Sequence, residues 1–252
     1  MSFDLPATSY DRFMGRYSAK LAPPFCEFAA IRAGQRVLDV GCGPGALTAE
    51  LIRTVDHEAV SSVDPSEQFV TAARSRYPGV DVRLASAEDL PYPNGTFDAT
   101  CAQLVVHFMA DPVAGLAEMA RVTRPAGRVV ASVWDFAGDR APISAFWQAS
   151  RDVRHEDQDE SGLAGARRGH LSELFGSAGI DLIEEAELTV LCEHESFDDW
   201  WAPFTLGVGP AGAYARTLSA EDLASVRDRC RQLLGDGPFT LTATAWAARG
   251  RV

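Results

Sequence analysis

Val37-Leu38-Asp39-Val40-Gly41-Cys42-Gly43-Pro44-Gly45-Ala46-Leu47-Thr48 reads as an apolar strand that ends in a glycine-rich turn and runs straight into a helix. Gly41, Gly43 and Gly45 let the backbone turn sharply and leave no Cβ to hold a ligand away from the main-chain N–H groups. Such a turn at a helix N-terminus is suited to a nucleotide-like cofactor. The stretch also fits G-x-G-x-x-A through Gly41, Gly43 and Ala46, so a nicotinamide cofactor is one reading of it. Asp39 points the other way, because a carboxylate beside the loop repels a pyrophosphate and attracts an ammonium. No Tyr-x-x-x-Lys set accompanies the loop, and a cationic cofactor suits it better.

Outward from this loop, short β-branched runs alternate with helical stretches, the pattern of a parallel sheet built from βαβ units. Strands are expected at 36–40, 59–63, 80–84, 97–102 and 127–134, with helices at 46–54, 66–77 and 113–122. Asp64-Pro65-Ser66-Glu67 suits a helix start, with proline in the first turn and acids beside it. The rhythm breaks over 135–170, an insertion whose run Arg154-His155-Glu156-Asp157-Gln158-Asp159-Glu160 reads as a solvated loop or helix end. Regular pattern resumes with a helix at 171–178, a strand at 180–191, helices at 197–204 and 221–234, and a strand at 239–247. About seven strands result.

Composition narrows the chemistry. The 252 residues are 46% hydrophobic and 23% charged, as expected of an ordinary folded α/β chain. A net charge of −12 disfavours a broad nucleic-acid surface and favours a small acceptor. Lys20 is the only lysine and lies far from the glycine loop, which sets aside a Walker-type phosphate loop and a Schiff-base lysine. The five cysteines form no C-x-x-C pair and have no histidines at metal spacing, so reduced, buried thiols are expected and no metal. Met1 to Thr8 carry no basic segment followed by an apolar run, and no stretch has the length to span a bilayer; the expected location is the cytoplasm, without membrane insertion.

Two more stretches join the loop: Ala85-Ser86-Ala87-Glu88-Asp89-Leu90-Pro91-Tyr92-Pro93-Asn94-Gly95-Thr96-Phe97-Asp98, and Cys101-Ala102-Gln103-Leu104-Val105-Val106-His107. From 35 to 133 the chain resembles the class I S-adenosylmethionine-dependent methyltransferases, particularly the small-molecule group that includes the ubiquinone and menaquinone biosynthesis enzymes. That resemblance implies an α/β, Rossmann-like doubly wound fold: a seven-stranded, mostly parallel sheet with a last antiparallel strand, plus a helical lid and an insertion. Within a single domain it divides the chain into a lid (1–34), a cofactor-binding core (35–134), the insertion (135–170) and a part completing the sheet (171–252).

S-adenosylmethionine is the implied cofactor. Gly41, Gly43 and Gly45 would lie against its methionine part and Asp39 would face its amino group. Asp64 ends the second strand where a carboxylate can accept hydrogen bonds from both ribose hydroxyls, with Pro65 beside it. Ser86 stands where the family often has an aspartate for the adenine amino group, a departure that passes this contact to the Ala87 backbone or to Glu88. Gln103 and Leu104 fall beside the methionine portion, and His107 where these enzymes begin to face the acceptor, as general-base candidate or as a helix-start histidine that caps or packs.

Tyr10-Asp11-Arg12-Phe13-Met14-Gly15-Arg16-Tyr17 reads as lid or as packing, with Tyr10 and Arg16 facing the cofactor if it is a lid and Tyr17 facing the acceptor. Trp200 and Trp201 are further acceptor candidates; adjacent helical side chains point about 100° apart, so one of the two is expected to face a pocket. The resemblance implies in-line methyl transfer to a small molecule, mainly through positioning. An NAD(P)-dependent oxidoreductase and a non-catalytic S-adenosylmethionine-binding module are the alternatives. The accepting atom and the oligomeric state are not encoded in any motif.

Overall fold

The computed structural model describes residues 10–155 and 158–252. At its centre lies β1 (Val37–Val40), four residues buried on both faces. Apart from Asp39 the strand is apolar, because a parallel sheet covered on both sides leaves no wet face. From β1 the chain steps outward through α2 (Ala46–Val55), β2 (Val60–Asp64), α3 (Glu67–Arg76) and β3 (Asp81–Leu84). It then returns to the other side of β1 as β4 (Phe97–Gln103), α4 (Pro112–Val122) and β5 (Thr123–Trp134). The remaining strands are β6 (Asp181–His194) and β7 (Phe239–Arg251). The seven strands lie in the order β3-β2-β1-β4-β5-β7-β6, and β7 runs antiparallel to both β5 and β6. The expected sheet and its antiparallel last strand are both present.

The winding direction reverses between β1 and β4, and ligands of open α/β sheets bind in the crevice outside the carboxyl ends of the strands at such a point. Helices cover both faces. A π-helical turn (Asp11–Gly15) leads into α1 (Arg16–Phe28), whose Phe25 packs with Leu47, Leu51 and Val55 of α2. Leu116, Met119 and Val122 of α4 are completely buried in the second core, together with Phe175 of α6 (His170–Ser177). Each such side chain contributes about 1.5–3 kcal/mol by leaving water.

Local signals explain most boundaries. Ser66 caps α3 by accepting from the Phe69 N–H, and Asp111 caps α4 by accepting from Ala114 N–H, with Pro112 in the first turn. β5 starts four residues before the expected position. Arg124-Pro125-Ala126-Gly127 joins the strand as an irregularity of the ladder, with Ala126 at φ +63° and a register shift against β4. The expected helix over 197–204 is divided into α7 (Phe197–Trp201) and a 3-10 turn (Ala202–Leu206) that contains Pro203.

The insertion holds a helix that the sequence pattern does not announce, α5 (Ser144–Arg154). A further unexpected helix, α8 (Gly209–Ala215), precedes α9 (Ala220–Leu234). The charged run after α5 is only partly solvated. Arg154 pairs with Asp222 and Asp159 with Arg151, whereas Glu160 is 4% exposed. Glu156 and Asp157 of that run, like residues 1–9 at the start of the expected lid, lie outside the described residues. All five cysteines are free and buried, no metal-binding cluster occurs among the described residues, and no helix among them is long and apolar enough to cross a membrane.

Candidate active site

Beyond Val40 the chain leaves the sheet, and the N–H groups of Gly41 and Cys42 both donate to the Val63 carbonyl at 2.8 and 2.9 Å. The turn is thereby fastened to the end of β2. All three glycines have positive φ, but their surroundings differ. A Cβ on Gly41 would lie 2.5 Å from Val105, and one on Gly45 2.3 Å from the Tyr77 ring. On Gly43 a Cβ would meet nothing within 4 Å. Gly41 and Gly45 are therefore glycines for packing, while Gly43 opens onto free space.

Two buried carboxylates flank this opening. Asp64 Oδ2 accepts from Gly43 N–H and Oδ1 from Ser66 N–H, each at 2.8 Å. Asp39, 1% exposed, accepts from the Thr48 hydroxyl at 2.6 Å. Burial pushes Asp39 up to about 7 and Asp64 up to about 6, against the pull of these hydrogen bonds. Neither acid has a salt-bridge partner among the described residues. Buried carboxylates without a cation are costly, so a ligand bringing an ammonium and hydroxyl donors fits this place chemically.

At the end of β4, Gln103 donates to the Ser18 carbonyl of α1 at 3.0 Å, and its Oε1 is buried without a partner among the described residues. Leu104 follows with φ +62°, a strained backbone at the sheet edge where ligands bind. In the loop after β3, Ala85 N–H donates to the Asp64 carbonyl at 3.1 Å, bringing Ser86 and Ala87 near the end of β2. Ser86 is half-buried and Ala87 buried. Glu88 is engaged elsewhere, accepting from the N–H groups of Ala110 and Asp111 at 2.8 and 3.3 Å ahead of α4.

The N-terminal turn covers this region. Tyr10 packs edge-on against Phe69 of α3, with ring centroids 5.3 Å apart. Arg76, also of α3, pairs with Asp11 and donates to the Pro44 carbonyl of the glycine loop. Arg76 escaped the sequence reading, because nothing in a helix-end arginine signals which loop it will bridge. Arg16 and Tyr17 turn to another neighbourhood. Arg16 forks onto Asp199 at 2.8 and 3.0 Å and donates to His194 Nδ1, while Tyr17 and His194 Nε2 are 2.8 Å apart. A cavity of about 200 Å³ lies there, with Trp200 in its wall. Trp201 instead stacks on Phe197 and Phe204 within an aromatic cluster.

A larger cavity, about 460 Å³, lies between the N-terminal turn, the ends of β4 and β5, the insertion and the start of α8. Its wall is aromatic and aliphatic, with Phe13, Leu104, Phe108, Trp134 and Phe136 among its residues, and Tyr10 also lines it. His107 lies in this wall, 7% exposed, with Nδ1 unpartnered among the described residues; burial pushes the ring down to about 3, so it is neutral. Glu160 is there too, accepting from Trp147 Nε1–H at 2.8 Å. The strand order, glycine loop and paired acids define a nucleotide-cofactor protein of the doubly wound type.

Comparison with known proteins carries this further. Residues 38–131 match the methyltransferase domain family. A demethylmenaquinone methyltransferase of Tropheryma whipplei is 33% identical over 126 residues, 49% of this chain and 51% of that one. A malonyl-[acyl-carrier protein] O-methyltransferase of Erwinia billingiae is 30% identical over 147 residues, 58% and 57% of the two chains. The aligned stretch spans about half the length of these curated relatives. Among solved structures, the geranyl diphosphate C-methyltransferase of Streptomyces coelicolor superimposes with TM-score 0.56 at 15% identity, over 94% of this chain and 80% of the other, which shows a shared fold. Residues 38–131 are thus a methyltransferase domain, and the curated relatives that resemble the chain are methyltransferases.

Proposed function

We propose that this chain transfers the methyl group of S-adenosylmethionine to a small molecule held in the cavity beside His107. The observation that carries the reading is the adjacency of two sites: an opening at Gly43 flanked by uncompensated carboxylates, and an apolar cavity starting at the next strand end, Leu104. When bound, the cofactor supplies a methyl group on a sulfonium that needs little activation. The protein's task is then to bind, align and exclude water.

In this reading Asp39 and the turn through Gly41, Gly43 and Gly45 hold the methionine end, with Gln103 Oε1 and Leu104 beside it. Asp64 and Pro65 hold the ribose, and the Ser86–Ala87 backbone takes the adenine edge in place of a carboxylate. Glu88 serves the same loop indirectly, by fixing Ala110 and Asp111. Of the expected lid segment 1–34, the described residues from Tyr10 onward act as the cover, with Tyr10 over the cofactor and Phe13 over the acceptor. His107 orients the acceptor as a neutral hydrogen-bonding group. Arg16, spent on Asp199 and His194, anchors the lid helix. Trp200 and Tyr17 contribute to that anchorage, away from the larger cavity.

The test is calorimetric titration of the full chain with S-adenosylhomocysteine, followed by transfer of labelled methyl to a panel of apolar metabolites. Saturable binding and label in an organic-soluble product are expected. Absence of adenosylhomocysteine binding, with NADH binding in its place, overturns the reading.

A further inference from the structure

The larger cavity contains an element that methyl transfer by positioning does not call for. Among side chains in its apolar wall, His107 and Glu160 are polar and more than nine-tenths buried. They come from opposite parts of the chain, one from the segment after β4 and the other from the insertion. Glu160 takes one hydrogen bond, from Trp147 to Oε2; among the described residues Oε1 takes none, and that oxygen keeps solvent access, whereas His107 Nδ1 is buried without a partner. A carboxylate set in an aromatic wall is poorly solvated, and burial disfavours its charged form. The cavity fits a partner that donates a hydrogen bond to it.

We propose that Glu160 accepts the proton of the acceptor's hydroxyl group, and that the acceptor is an uncharged, largely apolar molecule with one weakly acidic hydroxyl. This rests on the methyltransferase reading and names its substrate class. A ketone or ester without a hydroxyl can accept from the His107 ring but brings no donor to Glu160. An ammonium pairs with Glu160 but brings a second positive charge beside the sulfonium. A phenol or enol satisfies both conditions. In the step, the acceptor O–H bond breaks and its proton passes to Glu160. The acceptor oxygen forms its bond to the methyl carbon as the carbon–sulfur bond breaks, and that bond's electron pair stays on sulfur.

The protonation states agree with this division. Burial, with Asp159 next to it, pushes Glu160 up to about 7 against the pull of Trp147, so at neutral pH it can both take and release a proton. Asp159 is itself paired with Arg151. In the same cavity wall, His107 is pushed down to about 3 and the burial of Tyr10 raises its hydroxyl above the ordinary value, so both are uncharged at neutral pH.

The experiment uses the full chain saturated with S-adenosylhomocysteine and two probes, 2-naphthol and naphthalene, measured by equilibrium dialysis across pH. We expect wild-type protein to bind 2-naphthol about tenfold tighter than naphthalene above neutral pH, because a site built around a hydroxyl rejects the analogue lacking it. That ratio should shrink several-fold on acidification through about pH 7, as the carboxylate is protonated. Glu160→Gln should give a smaller ratio that no longer varies with pH. Trp147→Phe should move the midpoint of the wild-type pH dependence upward, since it removes the donor that holds Glu160 down. A wild-type ratio near one, no binding of 2-naphthol, or an unchanged pH-dependent ratio in Glu160→Gln overturns the proposal. If Glu160→Gln does not fold, as judged by near-ultraviolet circular dichroism, the Trp147→Phe midpoint decides alone: no upward movement overturns it. Failure of adenosylhomocysteine itself to bind overturns the underlying methyltransferase reading instead, and the two failures are distinguishable.

Discussion

At the scale of single residues, the three glycines of one turn do different work, and substitution should separate them. Gly41→Ala places a methyl group 2.5 Å from Val105, so the free protein should lose thermal stability. Gly43→Ala meets no protein atom within 4 Å, and its left-handed φ of +53° costs an alanine only about 1–2 kcal/mol. That variant should melt close to wild type yet bind S-adenosylhomocysteine at least about tenfold more weakly, the signature of lost approach to the backbone. Scanning calorimetry with and without ligand checks both.

Asp39 gives a second prediction at this scale, through its protonation. Its folded-state carboxyl is raised to about 7, above the ordinary carboxylate range it has when unfolded. Between about pH 4 and 7 the native state therefore holds more protons than the unfolded state, and the contribution of Asp39 to stability falls as pH rises through that window. Glu118 and Asp199, held low by Arg121 and Arg16, act with the opposite sign and lose their contribution in acid, as pH falls below the ordinary carboxylate range. Asp39→Asn should accordingly raise the melting temperature of the free protein near pH 8 while weakening adenosylhomocysteine binding. A lower melting temperature at that pH would mean the carboxylate is compensated in the free protein.

At the scale of elements, the position of the N-terminal turn depends on contacts that no local pattern encodes. Arg76 joins the N-terminal turn, through Asp11, to the glycine loop, through the Pro44 carbonyl. The Arg76–Asp11 pair is about one-third exposed on both sides, so it contributes little to global stability. Arg76→Ala should leave the melting temperature nearly unchanged while speeding adenosylhomocysteine dissociation several-fold in stopped-flow measurements, because the cover over the loop is loosened. An unchanged dissociation rate would show that the turn does not gate the cofactor.

The same distinction explains what could be read from the amino acids. Strands β1 to β4 were legible because each is a short β-branched or apolar run bounded by turn residues. Helix α5 was not, because its buried face of Phe146, Trp147, Ala149 and Ser150 is interrupted by polar residues and includes a serine that bonds the Tyr214 hydroxyl only after folding. Gly209-Pro210-Ala211-Gly212 opens α8 despite two glycines and a proline, and a Cβ at Gly212 would come within 2.8 Å of the Gly207 backbone. In the site, the glycine loop, Asp39, Asp64 and His107 were visible as motif positions. Glu160 was hidden within a charged run, since its burial depends on where the insertion lands.

At the scale of the whole molecule, the sheet sets one functional edge, and ligand binding should reveal it. The glycine loop, Asp64, Ala85 to Ala87, Gln103 and His107 all lie at or just past the carboxyl ends of parallel strands, whereas the antiparallel pair β6 and β7 extends the sheet beyond β5. A ligand that binds only the native state stabilises it by about 2.7 kcal/mol at a hundredfold excess over its dissociation constant. For amides that exchange through local opening, the added protection should concentrate where the ligand restrains the chain. Hydrogen exchange with saturating S-adenosylhomocysteine should therefore slow the amides of Gly41, Cys42 and Gly43, of Ser66, of residues 85–88 and of the turn at 11–15. The opposite ends of these two strands, β6 and β7, around Asp181 and Arg251, should change little. NADH at the same concentration should slow none of them. Uniform protection along the sheet, or protection confined to the opposite edge around Asp181 and Arg251, would place the cofactor away from the strand ends and dissolve the link between the glycine loop and the cavity at His107.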